Sequence, residues 1–234
     1  LFRSVEDRKD ALTASFLARE QHYTARAAFA QDGEFLALDV EVVCDMGAYS
    51  CYPFTAGIEP LMASGEMPGV YRLGAYRVHG LAVATNKAPT APYRGVSRPQ
   101  YVMLLEQIMD RAGHQLGLDP LDVRRRNLIT DFPYTSINSI TYDPGSYLES
   151  LDLCEQMVRE EGWFERQAQA REEGRYVGIG FSCFSERKRS IDDERNRLRS
   201  NRLLVCKVME NGLSKFKKGI AFLLKDTSAC FVLF

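Results

Sequence analysis

Apolar and polar positions change period several times along this chain, and each change marks an element. After a short mixed stretch, Leu12–Glu20, the period becomes two: Tyr23, Ala25, Ala27 and Phe29 alternate with Thr24, Arg26 and Ala28. Asp32-Gly33 follows, a dipeptide suited to the positive φ angles of a tight turn. On the return, Leu36, Leu38, Val40, Val42 and Cys44 share one face while Asp39, Glu41 and Asp45 share the other. An antiparallel hairpin with one buried face is therefore predicted. Residues 46–68 show no period and are punctuated by Gly and Pro, so they are expected to be irregular. A second extended region runs from about Val70 to Thr85.

Beyond it the pattern turns helical. Three prolines and a glycine between Asn86 and Gln100 forbid regular structure up to Pro99, which can occupy the first turn of a helix. Val102, Leu105, Met109, Ala112 and Leu116 then form one stripe, with Glu106, Asp110 and Arg111 off it, and Gly117 supplies a stop. Asp119-Pro120 predicts a capped short helix to Asn127. Asp143-Pro144 opens a third helix striped by Tyr147, Leu151, Cys154 and Val158, continuing through charged residues 164–173 to Gly174. Val177, Ile179, Phe181 and Cys183 alternate with Gly178, Gly180 and Ser182, an extended segment. Strands and helices mix without strict alternation, which places the chain in the α+β class: a mixed, largely antiparallel sheet with packed helices.

Composition narrows the function classes. With 234 residues, 45% hydrophobic and 26% charged, the chain is an ordinary globular one. No run approaches the roughly 20 apolar residues of a membrane helix, and acidic residues interrupt what would be a signal peptide. The sequence begins without Met, and it is expected to be part of a longer chain. Six cysteines without a C-x-x-C pair, and three histidines without ligand spacing, give no zinc or iron–sulfur pattern. Reduced thiols and a cytoplasmic location are the expectation.

The charge is uneven. From Arg187 onward there are 12 Lys/Arg and 5 Asp/Glu, against 18 and 26 before it, which marks a boundary near residue 186. The Arg195–Arg202 stretch has no interleaved aromatics or nucleic-acid motif, so no nucleic-acid partner is expected.

One segment looks built for a ligand. Pro89–Gln100 is stiffened by proline, opened by Gly95, armed with Arg94 and Arg98, and leads into a helix whose first amides favour an anion. A polyanionic cofactor would suit it, as would the plainer reading of a surface connection that ends a strand.

Several motifs occur in a telling order: Glu6-Asp7-Arg8; Asp45-x-Gly47-Ala48-Tyr49; Ala91-Pro92-Tyr93-Arg94-Gly95-Val96-Ser97-Arg98-Pro99-Gln100; Leu116-Gly117-x-Asp119-Pro120-x-x-x-Arg124-x-x-Asn127; Phe132-Pro133-Tyr134; Tyr142-Asp143-x-Gly145-x-Tyr147; and Arg175-Tyr176-x-Gly178-Ile179-Gly180. Over about residues 1–186 the chain resembles the molybdenum-cofactor-binding large subunit of the xanthine dehydrogenase, aldehyde oxidase and carbon monoxide dehydrogenase family. The resemblance implies a molybdenum–pterin cofactor (molybdopterin or its cytosine dinucleotide). It also implies a small-molecule substrate, an aldehyde or N-heterocycle hydroxylated with water, and a hetero-oligomer whose partner subunits carry iron–sulfur clusters and FAD.

By the same resemblance, Tyr93, Arg94 and Gly95 form the loop that lies against the cofactor. Gly95 stands where carbon monoxide dehydrogenases place a copper-binding cysteine, which argues against that reaction. Val96 stands where xanthine dehydrogenase stacks a phenylalanine on its substrate, and Met62 falls near the position of a substrate-orienting arginine. Both are therefore candidate pocket residues that lack the purine contacts. No catalytic base and no direct metal ligand are assigned, since the family's base is expected outside residues 1–186.

The implied layout is a partial first cofactor-binding domain over 1–130, a connection and the start of a second over 131–186, and a basic tail over 187–234. That tail has no family resemblance and is expected to derive from a shifted frame or gene-end artefact. A competing reading is a catalytically inactive interaction or assembly module using the helical surface at 100–160. Glu59 and Glu66 are read as solvated loop carboxylates, His79 and His114 as surface groups, Arg124-Arg125-Arg126 as a paired solvated face, Trp163 as a packing anchor and Asp143 as a helix cap.

Overall fold

The computed structural model describes residues 3–188, 199–210 and 220–221; for 186–188 and the last two segments only the backbone is described. The predicted hairpin forms as β1 (Gln21–Phe29) and β2 (Phe35–Gly47), preceded by a short helix α1 (Arg8–Ala14). Val40, Val42 and Cys44 face inward as expected, but Leu36 is exposed. The ladder shifts register at Ala28/Phe29, so Phe35 takes the inward place and stacks on Phe29 with ring centroids 4.7 Å apart.

The region expected to be irregular contains a helix, α2 (Ile58–Glu66). Its presence explains a second departure from the sequence reading. The next strand begins only at Ala75 (β3, Ala75–Ala84) and lies parallel to β2, giving a sheet in the order β1-β2-β3. A parallel neighbour needs a crossover rather than a tight turn, and α2 provides it. Val70–Leu73, expected to be strand, instead runs through the core, where Tyr71 bridges Leu128.

Helices α3 (Arg98–Leu116) and α4 (Pro120–Asn127) follow prediction closely. Gly117 caps α3 at φ 70°, and the Asp119 side chain accepts a hydrogen bond from the Leu121 amide at 2.8 Å. A small ribbon, β4 (Tyr134–Thr135) with β5 (Thr141–Tyr142), leads to α5 (Tyr147–Glu160), which begins three residues later than expected. Ser146, and not Asp143, holds its N-cap position. The helical pattern then breaks at Gly162, φ 70°, so that Trp163–Glu172 forms a separate helix, α6. Strand β6 (Val177–Lys188) pairs antiparallel with β7 (Arg199–Glu210), which meets β8 (Ile220–Ala221). No element had been foreseen beyond 188; the remaining expectations for the tail lie outside the described residues.

The core joins β2, Tyr71, α3, α4, α5 and β6 through Leu38, Val40, Leu105, Met109, Val123, Leu128 and Leu151, with the Trp163 ring packed at its edge. A buried polar knot runs through it. The side chain of Arg124, 1% exposed, donates to Glu106 Oε2 at 2.9 Å, to Asp110 Oδ1 at 2.7 Å and to the Phe181 carbonyl at 3.2 Å. The Tyr71 hydroxyl donates to Glu106 Oε1 at 2.7 Å. Arg124 therefore corrects the sequence reading of a solvated face: it is buried with Glu106, which lies off the apolar stripe yet inside the core, and the pair ties α3 to α4 and β6. Arg125 and Arg126 do make the expected surface pairs, with Asp122, Asp152, Glu155 and Asp32. Among the described residues no helix is long and apolar enough to cross a membrane.

Candidate functional site

The segment after β3 doubles back along the ends of β1 and β2. The Leu17 amide donates to Pro89 O at 3.0 Å and the Ala91 amide to Leu17 O at 2.9 Å, while Thr90 N reaches Met46 O at 3.2 Å. This crossing is possible only because residue 47 is glycine. At φ 72°, a Cβ there would lie 2.3 Å from Ala88 O and 2.5 Å from Pro89 Cα. Asp45 secures the corner by accepting from the Gly47 amide at 2.9 Å and Thr85 Oγ1 at 2.7 Å.

The corner delivers the chain into a tight loop, Tyr93–Ser97. The Val96 amide donates to Tyr93 O at 2.7 Å and the Arg98 amide to Gly95 O at 2.8 Å. Two successive residues are left-handed, Gly95 at φ 89° and Val96 at φ 49°. For glycine this is free; for a β-branched residue it costs roughly 1–2 kcal/mol and persists only where the surroundings impose it.

Those surroundings are polar and specific. On one side the guanidinium of Arg19, itself at φ 73°, lies 4.9 Å from the centre of the Tyr93 ring, and its Nη2 donates to Arg94 O at 2.5 Å. On the other, the fully buried Ser97 hydroxyl lies 2.6 Å from Glu59 Oε2 and 2.7 Å from Glu59 O. Gln21 Nε2 donates to Glu59 Oε2 at 2.6 Å and to Ser97 Oγ at 2.7 Å, and the Tyr23 hydroxyl donates to Gln21 Oε1 at 2.5 Å. Burial, reinforced by the Glu59 charge, pushes the neighbouring Cys44 thiol up to about 12, and burial likewise raises the Tyr23 phenol.

Among the described residues, two buried side-chain polar atoms have no hydrogen-bond partner: Arg19 Nε and Glu59 Oε1. Both belong to side chains that grip this loop. One is a donor at the Tyr93–Arg94 end of the loop and the other an acceptor at its Ser97 end, and both are shielded from solvent.

The sequence-derived candidates are distributed as follows. Tyr93, Arg94, Gly95 and Val96 are contiguous, and the Tyr93 and Arg94 side chains are exposed. Met62 lies on α2, one turn beyond Glu59 and half-buried. Arg98 does not serve the anion-facing surface: its guanidinium turns inward to Glu66 at 2.7 Å, with Tyr101 hydroxyl 3.3 Å from the same carboxylate. Glu66 is thus a structural partner, and Glu59, 2% exposed, is a buried anchor; neither is the solvated loop carboxylate expected. His79 and His114 are exposed as read. Arg19 and Gln21 were missed. Their two-residue spacing at the start of β1 was the available signal, hidden because the polar residues there interrupt the apolar alternation.

Comparison with known proteins identifies the chain's family. A model of the molybdopterin cofactor-binding domain matches residues 2–128. The chain is 34% identical over 183 residues to the nicotine 6-hydroxylase large subunit of Paenarthrobacter nicotinovorans, covering 78% of this chain and 22% of that protein. It is 31% identical to the carbon monoxide dehydrogenase large chain of Hydrogenophaga pseudoflava, covering 78% and 23%. Among solved structures, quinoline 2-oxidoreductase from Pseudomonas putida 86 superposes with a TM-score of 0.75 at 39% identity, covering 79% of this chain and 24% of that one. The chain therefore spans about a quarter of the length of the relatives it matches.

Proposed function

The chain belongs to the molybdopterin cofactor-binding family, and from that premise we propose that it forms the loop-bearing wall of a molybdenum hydroxylase active site, in a large subunit that oxidises an N-heterocycle or an aldehyde. Features of the Tyr93–Ser97 loop support this reading. The two bare buried atoms belong to side chains at either end of the Tyr93–Ser97 loop, Gly95 leaves its backbone unshielded by a side chain, Arg19 grips the loop from outside, and the loop carries the exposed side chain of Arg94. When bound, the molybdenum–pterin group would supply the two-electron oxidation that inserts a water-derived oxygen into the substrate.

This chain's own residues would bind and orient. Arg94 presents a guanidinium to an anionic edge of the cofactor, and Arg19 holds the Arg94 carbonyl so that the loop backbone keeps one shape. Val96 and Met62 line the substrate side with aliphatic surface, giving an adaptable pocket in place of an aromatic clamp. A glycine at position 95 offers no thiolate for a second metal, so carbon monoxide oxidation is not proposed. An N-heterocycle is favoured over an aldehyde because the relatives include a nicotine hydroxylase and a quinoline oxidoreductase. Electrons would leave through iron–sulfur and flavin centres on partner subunits, as the multi-subunit character of relatives such as the 6-hydroxypseudooxynicotine dehydrogenase complex supports. No residue of this chain is assigned the role of base.

The match to the molybdopterin cofactor-binding domain over residues 2–128, which contains the strained Gly95-Val96 turn, is the observation that carries the proposal. The test is purification of the complete native complex, elemental analysis, and an assay of acceptor reduction with a panel of N-heterocycles and aldehydes in ¹⁸O-water. About one molybdenum per large subunit, label in the product, and loss of turnover in Arg94→Ala are expected. A complex devoid of molybdenum, or product without label, would overturn the proposal. The isolated 234-residue chain is expected to retain no stoichiometric molybdenum.

A further inference from the structure

Burying a carboxylate is unfavourable unless its surroundings compensate, and an apolar side chain would hold α2 against the sheet with less desolvation. Glu59 is nevertheless 2% exposed, and one of its oxygens is bare. What its other oxygen does is join three elements at one point. Gln21 comes from β1, Glu59 from α2, and Ser97 is the residue that ends the left-handed turn and begins α3. Ser97 follows Val96 directly, and Val96 at φ 49° is a conformation that a valine leaves unless it is held. The grip on the other side, from Arg19, acts at residues 93 and 94. Glu59 is therefore the contact that fixes the far end of the loop.

Resting on the reading that this loop faces the cofactor, we propose that Glu59 is a positioning residue of the active site: acting through Ser97, its buried carboxylate holds the Gly95-Val96 turn in the shape that the cofactor and substrate meet. With the carboxylate removed, Ser97 keeps the backbone carbonyl of residue 59 but loses the side-chain oxygen it shares with Gln21, so the tie between β1, α2 and the loop is cut and Val96 is held less firmly against a return to negative φ. The loop backbone then shifts while the rest of the core, which is tied separately through Arg124, stays in place. A glutamine at 59 keeps the contact, because its carbonyl oxygen, in the place of Oε2, can accept from both Gln21 and Ser97 while its amide takes the place of the bare oxygen.

The experiment compares Glu59→Ala, Glu59→Gln and Ser97→Ala in the native complex, with hydrogen exchange of the peptide covering 91–98 as its first readout. Exchange at the Val96 and Arg98 amides is expected to quicken at least tenfold in Glu59→Ala and Ser97→Ala, to stay near wild type in Glu59→Gln, and to leave α4 unchanged. In the same samples, kcat is expected to fall about tenfold or more with KM within about twofold. The molybdenum EPR signal should change at unaltered metal content, and Glu59→Gln should restore both. Ser97→Ala alters one oxygen atom and so keeps the question open to test should Glu59→Ala fail to assemble. Wild-type exchange in both alanine variants, or wild-type kcat and EPR signal in them, would overturn the assignment. A wild-type complex without molybdenum would instead sink the proposed function, while the exchange data would still decide whether Glu59 holds the loop.

Discussion

Replacing Arg124 by methionine is the sharpest test of how this fold is held. The methionine fills most of the aliphatic volume but leaves the Glu106 carboxylate, 7% exposed, with the Tyr71 hydroxyl as its remaining close side-chain donor. Removing one partner of a buried pair costs about 3–5 kcal/mol, a large part of the roughly 5–15 kcal/mol that stabilises a typical domain. The deficit should depend on pH in a definite sense. Burial already pushes the Glu106 carboxyl above its ordinary value, with the Arg124 charge pulling it back. In Arg124→Met that pull is gone and the carboxyl rises further. Between the ordinary value of 4.5 and the raised one, the folded chain holds a proton that the unfolded chain has lost, so stability falls as pH rises through this window. Urea unfolding of the full chain should show a modest deficit near pH 4.5 and the full one by pH 7.5. The double variant Arg124→Met/Glu106→Gln, with no buried charge left, should recover at least about 2 kcal/mol at neutral pH. A deficit below about 1 kcal/mol, or one equal at both pH values, would refute the reasoning.

Further outcomes follow from individual side chains. Gly47→Ala places a Cβ 2.3 Å from Ala88 O at a positive φ, so it should destabilise the chain by about 2–4 kcal/mol in the same urea titration. Asp119→Ala removes the acceptor for the Leu121 amide and should cost about 1 kcal/mol, read as a lowered denaturation midpoint with unchanged slope. Burial raises Cys44 to about 12 and Cys154 to about 11, so iodoacetamide at pH 8 should label both roughly a hundredfold or more slowly in the folded chain than in urea. Stability should also fall as pH climbs above the ordinary thiol value of 9.0, because the unfolded chain ionises there first.

What the sequence made legible were the elements whose signals are local. The β1–β2 turn, the Gly117 and Asp119 caps and the stripe of α3 each depend on a few neighbouring residues, and each appears close to where it was expected. Helix α2 escaped because nine residues containing Pro60 and Gly65 carry too little periodicity to separate from a loop. Without it, the parallel placement of β3 could not be inferred. Polar residues misled in a consistent way: Glu59, Arg98 and Arg124 were read as solvated or ligand-facing, and Glu106 was placed off the apolar stripe, because charge predicts exposure on average. Each is buried because its partner arrives from a distant part of the chain, such as Ser97 for Glu59 and Glu66 for Arg98. Pairing across tens of residues leaves no periodic trace.

That same long-range pairing bears on how the candidate loop would work. Arg19 and Arg94 are separated by 75 residues, Gln21 and Ser97 by 76, and Glu59 and Ser97 by 38. The strained turn at Gly95-Val96 is therefore imposed by the folded sheet and helices, and its shape does not need to be induced by whatever it faces. A loop whose geometry is set in advance loses little entropy on meeting a ligand and holds its donors in fixed directions, which is the condition under which backbone and guanidinium contacts discriminate between closely similar groups. The strain at Val96 is then the stability given up for that fixed shape. A replacement that relaxes it, Val96→Gly, should leave the fold intact but free the turn to sample other conformations, so its damage should fall on ligand contacts and not on the core.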